Sequence, residues 1–287
     1  MALDLTGLSV WTQENTDLIA TAILNTDALA HVSVRSGVSE GTSSINLFSA
    51  DFADAARACG FTASGNLVFD QLPITVGDRQ IKQEACPVEL RSYWMAQQMN
   101  PGEAGNEMLP FEAEIGQYYM DGVSKNIEDF VGTSLVSEIT AANGAAVPAG
   151  AAALTVANAI DQLNDLYDAL DARVQMRDDV VFLMSPANYR IAVRAMVAAD
   201  LIHYNFADGQ NDVFLPGTNA KIVKSSGITG ASIVVFPKAY AIFATGLEGE
   251  ENFRMFYDEG ADVVKITAYY RRGLACYSID QLATNGL

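Results

Sequence analysis

The clearest hydrophobic pattern in the chain is a single apolar stripe that follows Pro110. Its members recur at spacings of three and four residues: Ile115, Tyr119, Val123, Ile127, Phe130 and Val131. This spacing is typical of one face of an α-helix, and the acids of the segment lie largely off the stripe. A helix that begins at Pro110 and ends at about Leu135 is therefore predicted, with a length of roughly 39 Å.

Residues 31–90 follow the alternation of apolar and polar positions that is typical of strands. Short strands are predicted over 31–34, 44–48, 67–69, 74–76 and 79–82. Pro73 and Gly77 are predicted to mark bends between them. Residues 37–84 contain few large aliphatic side chains, so we expect an extended antiparallel excursion without a core of its own. Fifteen residues of strand would span roughly 50 Å.

The pattern of residues 152–286 is typical of an α/β arrangement. A strong amphipathic helix is predicted from Val156, Ile160, Leu163, Tyr167, Leu170 and Val174. After a buried strand over 178–184, Ser185 supplies an N-cap and Pro186 a first helical residue for a helix through about Ala199. Its predicted inward residues are Tyr189, Ala192, Val193, Met196 and Val197. Further strands are predicted over 220–224, 232–236, 239–245, 252–257, 262–272 and 274–279, with a long hairpin around Glu259 and Gly260.

Charge and cysteine content narrow the class of protein. Thirty-five acids against seventeen Lys and Arg residues give a net charge of −18. Phosphate contacts need clustered cations, and the nearest sequence cluster, Arg271 and Arg272, lies in a strand-like run. We therefore expect an acidic wall that repels DNA rather than gripping it. No signal peptide or membrane span is predicted. The cysteines Cys59, Cys86 and Cys276 match neither a zinc site nor a disulfide framework, and buried free thiols in a cytoplasmic compartment are expected.

Candidate catalytic and metal-binding residues are few. His31 and His203 are the only histidines, and no nucleophile elbow, Walker loop or dinucleotide fingerprint is present. Carboxylates that could hold a hard cation occur in two clusters: Glu248, Glu250 and Glu251, and Asp258, Glu259 and Asp262. Acid–base pairs are conceivable at Asp51 with Asp54 and at Glu112 with Glu114. A solvated or structural role is favoured for all of them, so no catalytic, cofactor or metal residue is assigned.

The order of these parts resembles the HK97-type major capsid proteins of tailed double-stranded DNA phages. Residues 64–76 and 86–90 resemble the extended-loop return of crAss-like and related phages. Leu109 to Phe111 and Glu128 to Phe130 resemble the two ends of the spine helix, and Ser185 to Tyr189 resemble the axial-domain turn. The resemblance implies a mixed α+β capsid fold with an N-terminal arm, extended β loop, spine helix, peripheral domain and α/β axial domain.

The resemblance also implies a division of the chain. The N-terminal arm covers 1–30 and includes a short amphipathic helix. A peripheral-domain strand and the extended loop cover 31–86, with a helical turn or two over 52–59. The peripheral domain with the spine helix covers 87–148, including a short helix over 88–99. The axial domain covers 149–248, a peripheral hairpin 249–272, and the return to the axial domain 273–287. The irregular loop 200–219 would project toward the capsomer centre.

The implied function is structural: a subunit that assembles with itself, as pentamers and hexamers, into an icosahedral shell around double-stranded DNA. Portal and scaffolding proteins are implied partners and a cement protein is a further one, in a virion assembled in the host bacterial cytoplasm. In this interpretation residues 37–84 lie across a neighbouring subunit, and Arg79 and Lys82 meet its acids. No cross-linking partner of Lys82 identifies itself. The alternatives are an encapsulin-like nanocompartment shell, an enzyme with a site in 152–286, and a tail-tube or filament protein.

Overall fold

The computed structural model describes residue 23 and residues 26–51, 66–86, 111–201, 213–246 and 252–287. The predicted helix of the arm, the predicted helical segments 52–59 and 88–99, and most of the loop 200–219 lie outside the described residues. Both helices and long strands are present in the described chain, which confirms the predicted α+β class.

The described helices are α1 Phe111–Glu138, α2 Ala159–Asp168, α3 Ala172–Gln175 and α4 Pro186–Ala198. α1 confirms the helix predicted after Pro110 and continues three residues beyond the predicted end. α4 confirms the helix predicted after Ser185, whose hydroxyl caps it by accepting a hydrogen bond from the Asn188 N–H at 3.4 Å. One residue that was predicted to face inward does not, because Val197 is 47% exposed.

The single helix predicted through 156–174 is in fact two helices, α2 and α3. The break falls where the Asp171 carboxylate accepts a hydrogen bond from the Arg173 N–H at 2.8 Å and so caps α3. A capping aspartate of this kind stabilises a new helix start in preference to continued helix. Leu163, Leu170 and Val174 are buried as predicted, whereas Val156 precedes the first helix and is 47% exposed.

The strands of the described chain fall into two sheets. Their bounds are β1 Ser33–Arg35, β2 Gly41–Asp51, β3 Asn66–Ala85, β4 Val180–Met184, β5 Val213–Phe214, β6 Lys221–Lys224, β7 Ile233–Pro237, β8 Ala241–Ala244, β9 Asn252–Asp258, β10 Val263–Cys276 and β11 Ala283–Thr284. One sheet has the order β1-β8-β10-β3-β2, with β9 paired to β10. The other has the order β11-β7-β4-β6-β5.

Two long strands connect the parts of the six-stranded sheet, since each changes partner along its length. β3 pairs with β2 up to Val76 and with β10 from Gly77, and β10 pairs first with β3 and β9 and then, from Gly273, with β8. A Cβ atom at Gly273 would lie 2.5 Å from the Thr75 carbonyl oxygen, so only glycine fits where β10 leaves β3.

This continuity corrects two predictions. The bends predicted at Pro73 and Gly77 are absent, because β3 runs through both residues as one strand of twenty. Pro73 is compatible with this because β3 has one partner strand, β2, at that point, and proline is tolerated where a strand has an open edge. The separate strand predicted over 274–279 is instead the continuation of β10 to Cys276.

The five-stranded sheet contains one of the two large hydrophobic cores of the described chain. β4 and β7 are buried at every position, and α2 and α4 contribute Leu163, Leu166, Ala192 and Met196 to the same apolar cluster. Strands buried on both faces carry continuous apolar runs rather than an alternation. The run at 180–184 was predicted as a buried strand for this reason, and the structure confirms it.

The other large core lies between α1 and the six-stranded sheet. The stripe of α1 is fully buried at Val123, Ile127, Val131 and Leu135, and Tyr119 is 7% exposed. In the same cluster are Val264, Ile266, Ala268 and Tyr270, which are alternate residues of β10. One face of the helix thus packs on one face of the strand.

A backbone contact joins α1 to the loop that follows β6. A Cβ atom on Gly132 would lie 2.5 Å from the Gly227 carbonyl carbon, and one on Gly227 would lie 2.4 Å from the Glu128 carbonyl oxygen. Hydrogen bonds surround the contact: the Ser226 N–H donates to the Glu128 carboxylate at 3.0 Å, and the Ser226 hydroxyl bonds the Asp129 carboxylate at 3.0 Å. Paired glycines therefore couple the two sheets through α1.

Replacing Gly132 by alanine is expected to lower the free energy of unfolding by about 1–3 kcal/mol, because backbone atoms would have to move to admit the methyl group. The measurement is denaturant unfolding of the isolated subunit followed by circular dichroism.

Gly122→Ala is the matched control in the same helix. No atom lies within 4 Å of the position that its Cβ would take. Since alanine has a higher helix propensity than glycine, this variant should be more stable by about 0.5–1 kcal/mol. Equal stabilities of the Gly132 and Gly122 variants would contradict the packing argument.

Candidate assembly surfaces

The longest projection of the described chain is the hairpin of β2 and the first half of β3. Eleven residue pairs, from Gly41 opposite Val76 to Asp51 opposite Asn66, form an antiparallel ladder. Eleven residues of strand span about 36 Å. The hairpin therefore carries its far end well away from the sheet in which its base is anchored.

The base of the hairpin has a small core of its own, which corrects the expectation that residues 37–84 lack one altogether. Val38, Ile45, Ile74 and Val76 are buried, and they pack with Ala244 of β8 and Ala275 of β10. The buried residues lie on one face of the ladder. The other face is polar at the base, where the Thr42 and Thr75 hydroxyls hydrogen-bond at 3.3 Å and Gln71 donates to Asn46 at 3.2 Å.

Toward its far end the hairpin exposes large apolar side chains instead. Phe48 and Phe69 face each other across the ladder with ring centroids 5.5 Å apart, and they are 63% and 76% exposed. Leu67, two residues from Phe69 on the same face, is 51% exposed. We call Phe48, Leu67 and Phe69 the aromatic patch. Neighbouring apolar groups exposed in this way make the patch a candidate contact surface for another molecule.

The aromatic patch is not apparent from the sequence, where Phe48 and Phe69 fall in two separately predicted short strands. The available signal was a pair of phenylalanines in an otherwise polar excursion. What could not be read from the sequence was the register that places Phe48 opposite Phe69.

A second surface is the face of the sheet that points away from α1. Because side chains alternate along β10, Lys265, Thr267, Tyr269 and Arg271 point to the face opposite the buried residues. Lys82 and Arg254 both pair with Thr267, from β3 and β9 respectively, and therefore lie on this outer face. The structure thus assembles a cation cluster that was not found in the sequence.

The outer face contains a shallow pocket of about 540 Å³. It is lined by Asp78, Arg79, Gln80, Arg254, Tyr269, Tyr270 and Arg271. Arg271 is paired with Asp78 at 2.6 Å. The Lys82 ammonium lies over the Tyr269 ring, 5.9 Å from its centroid. We call this set the basic pocket.

Strand alternation separates the two adjacent arginines of β10. Arg272 points toward α1, where its guanidinium lies 4.3 Å from the Phe130 ring centroid and donates to the Asn126 carbonyl oxygen at 2.8 Å. Burial lowers the pKa of Arg272 from its usual value, since the charged form loses solvation. Arg272 is therefore a packing residue, and Arg271 alone belongs to the outer face.

The acids of the β9–β10 turn are engaged within the turn itself. Asp258 accepts hydrogen bonds from the Lys265 ammonium and from the Gly260 N–H, and these lower its pKa. Asp262 accepts a hydrogen bond from the Tyr257 hydroxyl, which raises the pKa of that tyrosine. In the part of the chain that the structure describes, no group of three or more His, Cys, Asp or Glu side chains is placed to hold a metal ion.

Of the remaining candidates of the sequence analysis, the side chain of only one is described. His31 is half-buried at the end of the 3-10 helix Asp27–His31. The others lie outside the described residues, or their side chains do: Asp51, Asp54, Cys59, Glu112, Glu114, His203, Glu248, Glu250 and Glu251. Among the described helices, none has the length and apolarity needed to cross a bilayer.

Comparison with known proteins gives a likeness of structure without a likeness of sequence. No family model matches the chain, and no curated protein matches it. Among solved structures, the capsid of an empty GTA particle superposes with a TM-score of 0.59 at 18% identity, over 92% of this chain and 89% of that one. The virus-like particle from Pyrococcus furiosus gives 0.56 at 14% identity, over 96% and 98%. The mature capsid of bacteriophage PhiM1 gives 0.55 at 13%, over 91% and 86%.

These superpositions cover nine-tenths of the chain with TM-scores above 0.5, so they show the fold. The chain has the HK97-type capsid fold, as the resemblance of its sequence implied. Identities below 20% assign no role to individual residues, and the roles of the aromatic patch and the basic pocket must be argued from this chain alone.

The two described cysteines differ in burial. Cys276 is 3% exposed, and burial raises the pKa of its thiol to about 12, whereas Cys86 is half-buried. At pH 8 only about one Cys276 thiol in ten thousand would be ionised, and the thiolate is the reactive form. A C59S/C86S variant, in which only Cys276 remains, should therefore resist a thiol-specific reagent at pH 8 until it is unfolded.

The matched variant C59S/C276S keeps Cys86 and should be labelled faster in the folded subunit, because that side chain is partly accessible. Labelling is followed by absorbance or intact mass. Cys276 labelling of the folded chain at the rate of the unfolded chain would refute the burial that the structure assigns to it.

Proposed function

We propose that this chain is a structural shell subunit, the major capsid protein of a tailed double-stranded DNA phage, and has no catalytic role. The observation that carries the proposal is the aromatic patch at the far end of a hairpin that projects from the sheet. A side chain as large as Phe69, left 76% exposed, has no core to enter within the described chain. The capsid fold supplies the context in which identical copies would cover it.

Burial of the aromatic patch by a neighbouring copy would provide free energy for assembly. A phenylalanine moved fully from water into an apolar contact contributes about 1.5–3 kcal/mol. If the patch is covered by a different part of the neighbouring copy, the contact is heterologous. Such contacts close into rings when the rotation between copies is suitable. In the proposed icosahedral shell these rings are pentamers and hexamers.

The remaining assignments extend this proposal. Residues 1–30 would form the arm, 31–86 the peripheral strand and extended loop, 87–148 the peripheral domain with α1 as spine helix, 149–248 the axial domain, 249–272 a peripheral hairpin and 273–287 the axial return. The shell would enclose double-stranded DNA without specific binding, because a net charge of −18 repels phosphate. Assembly in the host bacterial cytoplasm, with portal and scaffolding proteins and with room for a cement protein, completes the proposal.

A second candidate is an encapsulin-like nanocompartment shell. It is favoured by the likeness to the virus-like particle from Pyrococcus furiosus, which extends over 96% of this chain. Both candidates require the same contacts between copies. Electron microscopy of particles from the native source separates them, since a phage capsid contains DNA and one portal vertex whereas a nanocompartment has neither.

The double variant F48S/F69S should fold as the native subunit does but give at least about tenfold fewer shells. The rings make few contacts within the subunit, and each ring left unburied between copies removes more than about 1.4 kcal/mol from the contact. Particle yield is measured by sedimentation and negative-stain electron microscopy, and subunit folding by circular dichroism.

Ser44→Ala is the matched control, because residue 44 is exposed on the same face of the same strand, four residues from Phe48. It should assemble as the unmodified chain does. Normal shells from F48S/F69S would remove the observation on which the proposal rests, and a purified wild-type chain that stays a small oligomer under all assembly conditions would overturn the proposal itself.

A further inference from the structure

The outer face of the sheet has a charge opposite to that of the molecule. Of the cations on β9, β10 and the part of β3 from Gly77, four lie on this face by the register of the strands: Lys82, Arg254, Lys265 and Arg271. The same strands carry three carboxylates, Asp78, Glu84 and Asp258. This local excess of cations stands in a chain whose net charge is −18.

The basic pocket concentrates that excess in a cavity. Its one carboxylate, Asp78, is engaged by Arg271, and Arg254 has no ion-pair partner within the described residues. Arg79 is paired with the buried Tyr270, so its side chain leaves the strand on the opposite face. Guanidinium groups bind carboxylates through two parallel hydrogen bonds, and the Lys82 ammonium over the Tyr269 ring adds a further cation beside them. The pocket is therefore built to receive carboxylate groups that the subunit does not itself place there.

The counterpart can be sought among the exposed acids of the same chain. Two acids of α1, Glu128 and Asp129, are engaged by Ser226 within the subunit, which makes α1 a poorer counterpart than its sequence indicated. α2 differs, because Asp161, Asp165 and Asp168 are all exposed, recur at spacings of four and three, and form one ridge on a helix without a cation. We call these three residues the acidic ridge.

We propose that the basic pocket of one subunit receives the acidic ridge of a second copy, so that α2 of each subunit docks on the outer face of the next. The inference rests on the proposed function, since it names a contact within the shell. The pocket and the ridge are different surfaces of one chain, so the contact is head-to-tail and propagates around a ring. A carboxylate partner is favoured over DNA because the pocket is small and the surrounding acidic surface repels a long polyanion.

The test is a charge swap across the contact. Arg254→Glu alone and Asp165→Arg alone should each lower shell yield at 0.1 M salt by about fivefold or more, because each places like charges together. The double variant R254E/D165R restores an opposite-charge pair and should recover most of the yield. Lys125→Glu, the same change of charge on the exposed face of α1, is the control and should assemble normally.

The outcomes separate the inference from the proposed function. Normal shells from Arg254→Glu, or no recovery in the double variant, would overturn the inference while leaving the shell function intact. If Arg254→Glu weakens the binding of linear duplex DNA in a mobility shift and leaves shell yield unchanged, the pocket is a DNA contact and the inference is wrong. If the wild type forms no shells and shows no salt-sensitive self-association in sedimentation velocity, both the inference and the proposed function fail.

Discussion

The packing of α1 against β10 is the constraint on which the rest of the structure depends. One helical stripe and alternate residues of one strand share a buried cluster. Because Ile266 and Ala268 pack against the helix, Thr267 and Tyr269 must face outward, since side chains alternate along a strand. The same commitment fixes β3, which pairs with β10 over nine residues, and thereby the direction in which the hairpin leaves the sheet.

The hairpin is held at its base by a small core but exposes large apolar side chains at its far end. Its base is held by a small core around Ile74 and Val76, and its middle by polar pairs across the ladder. Its far end exposes Phe48 and Phe69, although burying such rings is among the most favourable contributions available to a protein. Within the described chain these rings are therefore left exposed and remain available for a contact with another molecule.

Charge is distributed unevenly over the molecule. An average over the chain describes an acidic protein, but the register of three strands collects Lys82, Arg254 and Arg271 on one face. Repulsion between acidic copies would oppose assembly, and a local patch of the opposite sign provides attraction at one defined place. Direction and specificity of contact can therefore come from a small number of charges, while the apolar contacts supply most of the free energy.

The sequence by itself determined the elements whose burial is local. The stripe after Pro110 repeats with the period of a helix, and the apolar run at 180–184 is short and continuous, as in a strand buried on both faces. The order of such elements already indicated the capsid fold. Tertiary structure decided what depends on partners distant in the chain. β3 runs straight through Pro73 because β2 and β10 hold it, and the aromatic patch and basic pocket exist because of strand register. Register is set by pairing between residues up to about two hundred positions apart, as with Asp78 and Arg271, and no local pattern encodes it.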